Sequence, residues 1–246
     1  MIIWDWHIDE YERVNFFCPG QRHIGNDYPD VSQIIACPDV PQINRLDRQR
    51  TIIYPCVQDT SAITALGFKY AFTKDTTQKW DGESIILPPV FEPQKPQEKT
   101  QDAVTIIHYY SQRDYANYQI TKNLNIPIYG LDDNPCHDVQ GMLAKTKFLV
   151  HFKHLGYLCN VVLKSMMNGT IPIMDKKSFE LGYSDYLQPD VSCIVVNDHD
   201  DVKKILTMSD ATREDYIKAM NESMAKVMAT YPEVKQKAKQ FVNAVG

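Results

Sequence analysis

The sequence has no Cys-x-x-Cys pair, no basic block and no apolar run of membrane-spanning length. Each absence excludes something. Without paired cysteines a zinc site is not expected. The six cysteines, Cys18, Cys37, Cys56, Cys136, Cys159 and Cys193, lie far apart and read as reduced, mostly buried thiols. A formal charge of −5 argues against nucleic-acid binding driven by phosphate neutralisation. No segment approaches the ~20 apolar residues of a membrane helix. The opening, MIIWDWHIDEYER, has neither the basic leader nor the apolar stretch of a signal peptide. The expectation is a cytoplasmic protein with no transmembrane segment. No repeat of solenoid period is visible.

What is present is alternation. The 246 residues allow one large domain or two small ones. In the first part, MIIWDW, SQIIACP, TIIYPCV, FKYAFTK and ESIILPPVF read as strands, several of them stopped by proline. A short helix, DTSAITALG, ends on Gly67 as a C-cap would. Residues Glu92 to Asp102, EPQKPQEKTQD, are proline-rich, charged and without periodicity, and read as a linker.

After it an α/β pattern restarts. AVTIIHYY, IPIYGL, KFLVHFK, TIPIMD and SCIVVN read as strands. Between and after them, RDYANYQITKNLN, DVQGMLAKT, YLCNVVLKSMMN and DDVKKILTM read as helices. The strands are rich in Val and Ile and nearly continuous, as parallel strands covered on both faces should be. The predicted fold is therefore α/β, with two Rossmann-like parallel-sheet halves, the first reduced, and C-terminal helices. The expected boundaries are 1–91 for an acceptor-side domain, 92–102 for the linker and 103–246 for a ligand-binding domain with the terminal helices. Ile217, Met220, Met224, Val227 and Met228 form one apolar helical stripe, read as core.

Ligands of open parallel sheets bind beyond the carboxyl ends of the strands. That rule selects Ser111, Gln112 and Arg113, then Asp132, Asp133, Asn134 and His137, then Lys153 to Tyr157, and Asn197 to Asp201. Gly156 at a strand-to-helix turn would let backbone N–H groups approach an anion, or simply make a tight turn. Asp138 suits a helix N-terminus. Asp198-His199-Asp200 matches the Asp-x-Asp with which some sugar transferases hold a divalent ion. A helix follows at once, so capping is the favoured reading. His151 and His154 share no strand face and are not expected to form a pair. Lys164, with Asn160 one turn earlier, gives a largely apolar helix one polar edge that could meet a phosphate or a sugar hydroxyl.

From about Ser84 to Val245 these segments resemble the C-terminal half of GT-B fold glycosyltransferases. HLGYLCNVVLKSMMNGTIPIMD is similar to that family's donor signature, and AVTIIHYYSQRD to its first donor-domain strand and the loop touching the donor diphosphate. The resemblance implies a nucleotide-sugar donor, a glycan or glycoconjugate acceptor and no obligatory metal or other cofactor. Taken with the strand-end rule and the polar edge of the helix, the expected donor contacts are Ser111, Arg113, His154, Gly156, Tyr157, Asn160 and Lys164. Many retaining members carry glutamate at both ends of the signature, where this chain has Gly156 and Lys164. That departure turns the expectation toward inverting transfer, with a general base from the first half. Asp5 and His7, after the first strand, and Asp59 are the candidates. The opposing reading is a catalytically silent GT-B remnant that binds glycans or acts as a scaffold. A weaker third is a metal-using transferase built on Asp198-His199-Asp200.

Overall fold

The computed structural model describes residues 2–4, 8–19, 22–24, 34–36, 46–55, 64–107, 115–130, 134–154 and 158–245. The chain divides into two units, Met1–Val90 with Val227–Gly246, and Phe91–Lys226.

The first unit contains β1 (Ile2–Trp4), α1 (Ile8–Phe17), β2 (Arg22–Ile24), β3 (Ile34–Ala36), β4 (Thr51–Ile53), β5 (Tyr70–Thr73) and β6 (Glu83–Ile86). The strands form one parallel sheet in the order β2-β1-β3-β4-β5-β6. Residues Ile52, Ile53, Ala71 and Phe72 are fully buried, which is why TIIYP and KYAFT read as unbroken apolar runs. β6 is one of the two edge strands, and Glu83 there pairs with Lys69 at 3.0 Å, a charged edge that resists further strand addition.

The second unit contains β7 (Gln101–Ile106), α2 (Tyr115–Thr121), β8 (Ile128–Tyr129), α3 (Val139–Ala144), β9 (Thr146–Val150) and α4 (Asn160–Met167). It continues with β10 (Ile171–Asp175), α5 (Lys176–Phe179), β11 (Ile194–Val196), α6 (Val202–Ile205) and most of α7 (Asp210–Ala229). Its parallel sheet has the order β11-β10-β9-β7-β8. Both sheets are of the doubly wound kind expected from sequence.

The domain boundaries need two corrections. Residues 92–102 are no free linker. Gln94 donates its backbone N–H to Met167 O at 2.8 Å, and β7 already begins at Gln101. The terminal helix α8 (Tyr231–Val245) belongs to the first unit, not the second. Its apolar stripe decides this. Tyr231, Ala238, Val242 and Val245 join Val14 and Phe17 of α1 with Ile52, Phe72 and Leu87 in one core. The Tyr231 ring stands edge-on to Phe16 and Phe17, at centroid distances of 5.1 and 5.5 Å, and its hydroxyl donates to Pro89 O at 2.8 Å. Within the methionine stripe, Met220 and Met224 are buried as expected.

The junction NGT after α4 is a structural corner. Gly169 has φ +63°, the left-handed conformation that closes a helix without a Cβ penalty. Thr170 is fully buried, and its hydroxyl lies 2.6 Å from Leu143 O and 2.9 Å from Thr146 O. Lys99 reaches into the same corner, its Nζ 2.8 Å from Asn168 O and 3.3 Å from Leu143 O, so one ammonium satisfies carbonyls at the ends of two helices.

Candidate functional site

Strand order locates the site in the second unit. From β7 the chain goes to β8 on one side and then to β9 on the other, so β7/β9 is the switch point, at whose carboxyl edge open parallel sheets bind their ligands. Three connections meet that edge: 151–154 after β9, Asp175 at the end of β10, and 197–199 after β11.

Asn117 of α2 holds the switch point together. It is fully buried, and its Oδ1 accepts the Phe152 N–H at 3.1 Å and lies 3.3 Å from the Thr105 hydroxyl. That hydroxyl also donates to Val150 O at 2.7 Å. One side chain thus ties α2 to the ends of β7 and β9.

His151 continues the β9–β10 pairing through its N–H, donated to Ile173 O at 2.8 Å. Its ring is buried. Tyr183 accepts the Cys159 N–H at 2.9 Å, which leaves the hydroxyl proton for His151 Nε2 at 3.3 Å. Burial, reinforced by the charge of Lys153 and only partly opposed by Asp175, pushes the His151 pKa down to about 3. This histidine is neutral and structural: through Tyr183 it helps to fix the residue that precedes α4.

His154 behaves differently. Its Nε2 lies 2.6 Å from Asp175 Oδ2, and the same oxygen meets His199 Nε2 at 3.2 Å. The other carboxylate oxygen accepts the Ser178 N–H at 2.8 Å and so caps α5. The three residues end or follow three adjacent strands, β9, β10 and β11. Burial works against charge on Asp175, but hydrogen bonds from Ser178, His154 and His199 outweigh it and hold its carboxyl below the usual range. An ionised carboxylate only accepts, so both rings present Nε2–H to it. The His199 ring also lies on Phe152, with centroids 4.6 Å apart. The donors of this cluster are engaged with one another rather than set around a common centre. Among the described residues no group of three or more His, Cys, Asp or Glu is placed to hold a metal ion.

Of the residues expected from sequence, His154 is brought to this edge. Asn160 opens α4 and Lys164 lies one turn further along it, half-buried. Ser111, Arg113, Gly156 and Tyr157 lie outside the described residues, as do Asp5, His7 and Asp59. Asp198 caps a short 3-10 turn, its carboxylate accepting the Asp200 N–H at 3.0 Å, in agreement with the capping reading. Asp138 likewise caps α3 through the Gly141 N–H at 2.8 Å. Asp175 was not singled out from sequence. Its signal was there: a lone acid closing TIPIM, at the same strand end as His154 and the NDHDD loop.

No family model matches the sequence, and no curated protein matches it. Solved structures do. Anabaena Alr3699/HepE, in complex with UDP and glucose, superposes with a TM-score of 0.63 at 8% identity, over 99% of this chain and 99% of that one. T4 phage beta-glucosyltransferase gives 0.59 at 11% identity over 98% of both chains. The fold is GT-B. A mutant of S. aureus TarM, in complex with fondaparinux, alpha-GlcNAc-glycerol and UDP, gives 0.63 at 12% identity over 85% of this chain. The chain spans 55% of the length of that structure. Among the described residues of this GT-B chain, no helix is long and apolar enough to cross a membrane.

Proposed function

We propose that this chain transfers a glycosyl group from a nucleotide-sugar to a hydroxyl of a glycan or glycoconjugate, with inversion and without an obligatory metal. The observation that carries the reading is the carboxyl edge of the second sheet. There the switch point of the sheet has an imidazole pair held on one carboxylate, in a fold shared with a solved glucosyltransferase. T4 phage beta-glucosyltransferase has been solved with its UDP-glucose substrate, which makes a uridine nucleotide the first donor to try. A beta-glucosyltransferase of the same fold is a DNA modifying enzyme, whereas this chain carries no basic block for a nucleic-acid acceptor.

In the proposed reaction the acceptor oxygen bonds to the anomeric carbon as the bond to the donor phosphate breaks. The leaving electron pair stays on the phosphate, and a base takes the acceptor proton. Asp5, His7 and Asp59 are the candidates for the base. Arg113 and Lys164 are the candidates for stabilising the leaving diphosphate. Gly156 and Lys164, standing where retaining relatives carry glutamates, support inversion. The same two residues also support a second reading, a silent GT-B module that binds without turnover.

Release of free nucleotide from UDP-, GDP-, ADP- and dTDP-sugars, with and without oligosaccharide acceptors, separates these. Turnover that survives EDTA is expected. Nucleotide binding without any turnover would establish the silent module instead.

A further inference from the structure

We infer that a cleft between the loop 184–192 and α7 is a second carbohydrate site, which holds part of a longer glycan away from its reacting end. This rests on the glycosyl-transfer reading and adds a subsite for the acceptor chain.

The cleft encloses about 270 Å³, and all of its lining belongs to the second unit. Strand direction sets it apart from the imidazole pair. β10 ends at Asp175 on the carboxyl edge, and the chain must return to the opposite edge to enter the parallel β11 at Ile194. Gln188 to Ser192 complete that return, so this wall lies by the amino edge of the sheet.

The walls are fixed before any ligand arrives. Ser192 Oγ accepts the Gln188 N–H at 2.8 Å, and the Ser192 N–H donates to Gln188 O at 2.9 Å, which closes the loop on itself. The Ser223 hydroxyl of α7 donates to Tyr186 O and ties loop to helix. Tyr186 and Leu187 are buried beneath. A preformed cleft spares a ligand the cost of ordering it.

The groups at the rim are uncommitted. The side chains of Ser184, Gln188, Glu222 and Lys226 are exposed there and make no hydrogen bond or ion pair among the described residues. Glu222 and Lys226 stand four residues apart on α7, a spacing at which such residues pair, yet no ion pair joins them. A hydroxyl, an amide, a carboxylate and an ammonium together offer both donors and acceptors. Each sugar hydroxyl also donates and accepts, so a polyol uses all four. A phosphate would meet the carboxylates of Asp185 and Glu222, and a simple cation would meet Lys226. Val191, 43% exposed, adds an apolar contact for the C–H face of a ring. The volume lies just below the roughly 300 Å³ at which small-molecule sites begin, which suits a short piece of a chain.

The test is calorimetric titration of the whole chain with malto-, cello-, chito- and xylo-oligosaccharides of increasing length, with UDP, GDP, ADP and dTDP in parallel. One saccharide series should bind, and longer members more tightly. Ala219 lines the cleft from α7, and Ala219→Trp fills it. That variant should weaken saccharide binding by roughly tenfold or more and leave any nucleotide response unchanged. Glu222→Ala and Lys226→Ala keep a good helix former on an exposed face and should each weaken saccharide binding by roughly tenfold. Glycine, whose ammonium and carboxylate would span Glu222 and Lys226, is the control. Binding of glycine in place of every saccharide overturns the assignment. So does saccharide binding undiminished in Ala219→Trp, or no saccharide binding at all. With nucleotide binding and turnover intact, those results leave the glycosyl-transfer reading standing. Saccharide binding that Ala219→Trp removes, in a chain that binds no nucleotide, supports the cleft and overturns the transfer reading instead.

Discussion

Lys99 Nζ lies 2.8 Å from the carbonyl oxygen of Asn168, so a lysine from a stretch that reads as linker closes the end of helix α4. Methionine at this position keeps the length of the stem and loses the three hydrogen bonds to Leu143 O, Asn168 O and Thr170 Oγ1. Lys99→Met should destabilise the chain by about 1–3 kcal/mol in urea denaturation, because half-buried carbonyls lose their partner. A cost near zero would mean that water replaces the ammonium at no loss.

His151 sets an acid limit on stability. Its folded value of about 3 lies below the 6.5 of an unperturbed histidine. As the pH falls through 6.5 the unfolded chain takes up this proton first, so the native state loses relative stability. The loss grows until the pH reaches about 3, where the folded ring protonates too. The contribution is on the order of a few kcal/mol across the window. His151→Gln, which can still accept from Tyr183, should flatten the dependence of unfolding free energy on pH between these limits. Equal slopes for variant and parent would contradict this account.

Tyr183→Phe removes one oxygen with two duties: accepting the Cys159 N–H and meeting His151 Nε2. Thermal unfolding should show a loss of about 1–3 kcal/mol. Nucleotide affinity should fall as well, since the residue before α4 is no longer fixed. A stability loss with unchanged affinity would place Tyr183 outside the site's support.

Asp175 carries a cap and a histidine pair on separate oxygens, and two substitutions separate them. Asp175→Ala loses both and should cost about 1 kcal/mol or more for the cap alone. Asp175→Asn retains an acceptor for the Ser178 N–H and should recover much of that stability while leaving nucleotide binding impaired. Equal stability of the two variants would show that the cap contributes little.

Much of the fold was legible because strands of a covered parallel sheet announce themselves as continuous Val/Ile runs. TIPIMD and KFLVHFK are buried on both faces and were readable on that ground alone. β2 is three residues, Arg22–Ile24, with no periodicity to detect. α1 was missed in IDEYERVNFF, although Tyr11, Val14 and Phe17 recur every third residue. Composition misled at 92–102: proline and charge look like a linker, but Lys99 serves carbonyls far away in sequence, which no local pattern reveals. The site was half legible. His154 follows from the strand-end rule. Its partners Asp175 and His199 come from β10 and β11, and only knowledge of strand order brings the three together.

The central claim is that a nucleotide diphosphate binds at this edge, and thermal unfolding with UDP, GDP, ADP and dTDP tests it most directly. At ~100-fold excess over the dissociation constant, a bound nucleotide stabilises by ~2.7 kcal/mol. For a chain of this size that is a rise in Tm of roughly 5–10 °C. One of the four should produce it, and Lys164→Ala and Arg113→Ala should reduce it. An unchanged Tm with all four would contradict the account.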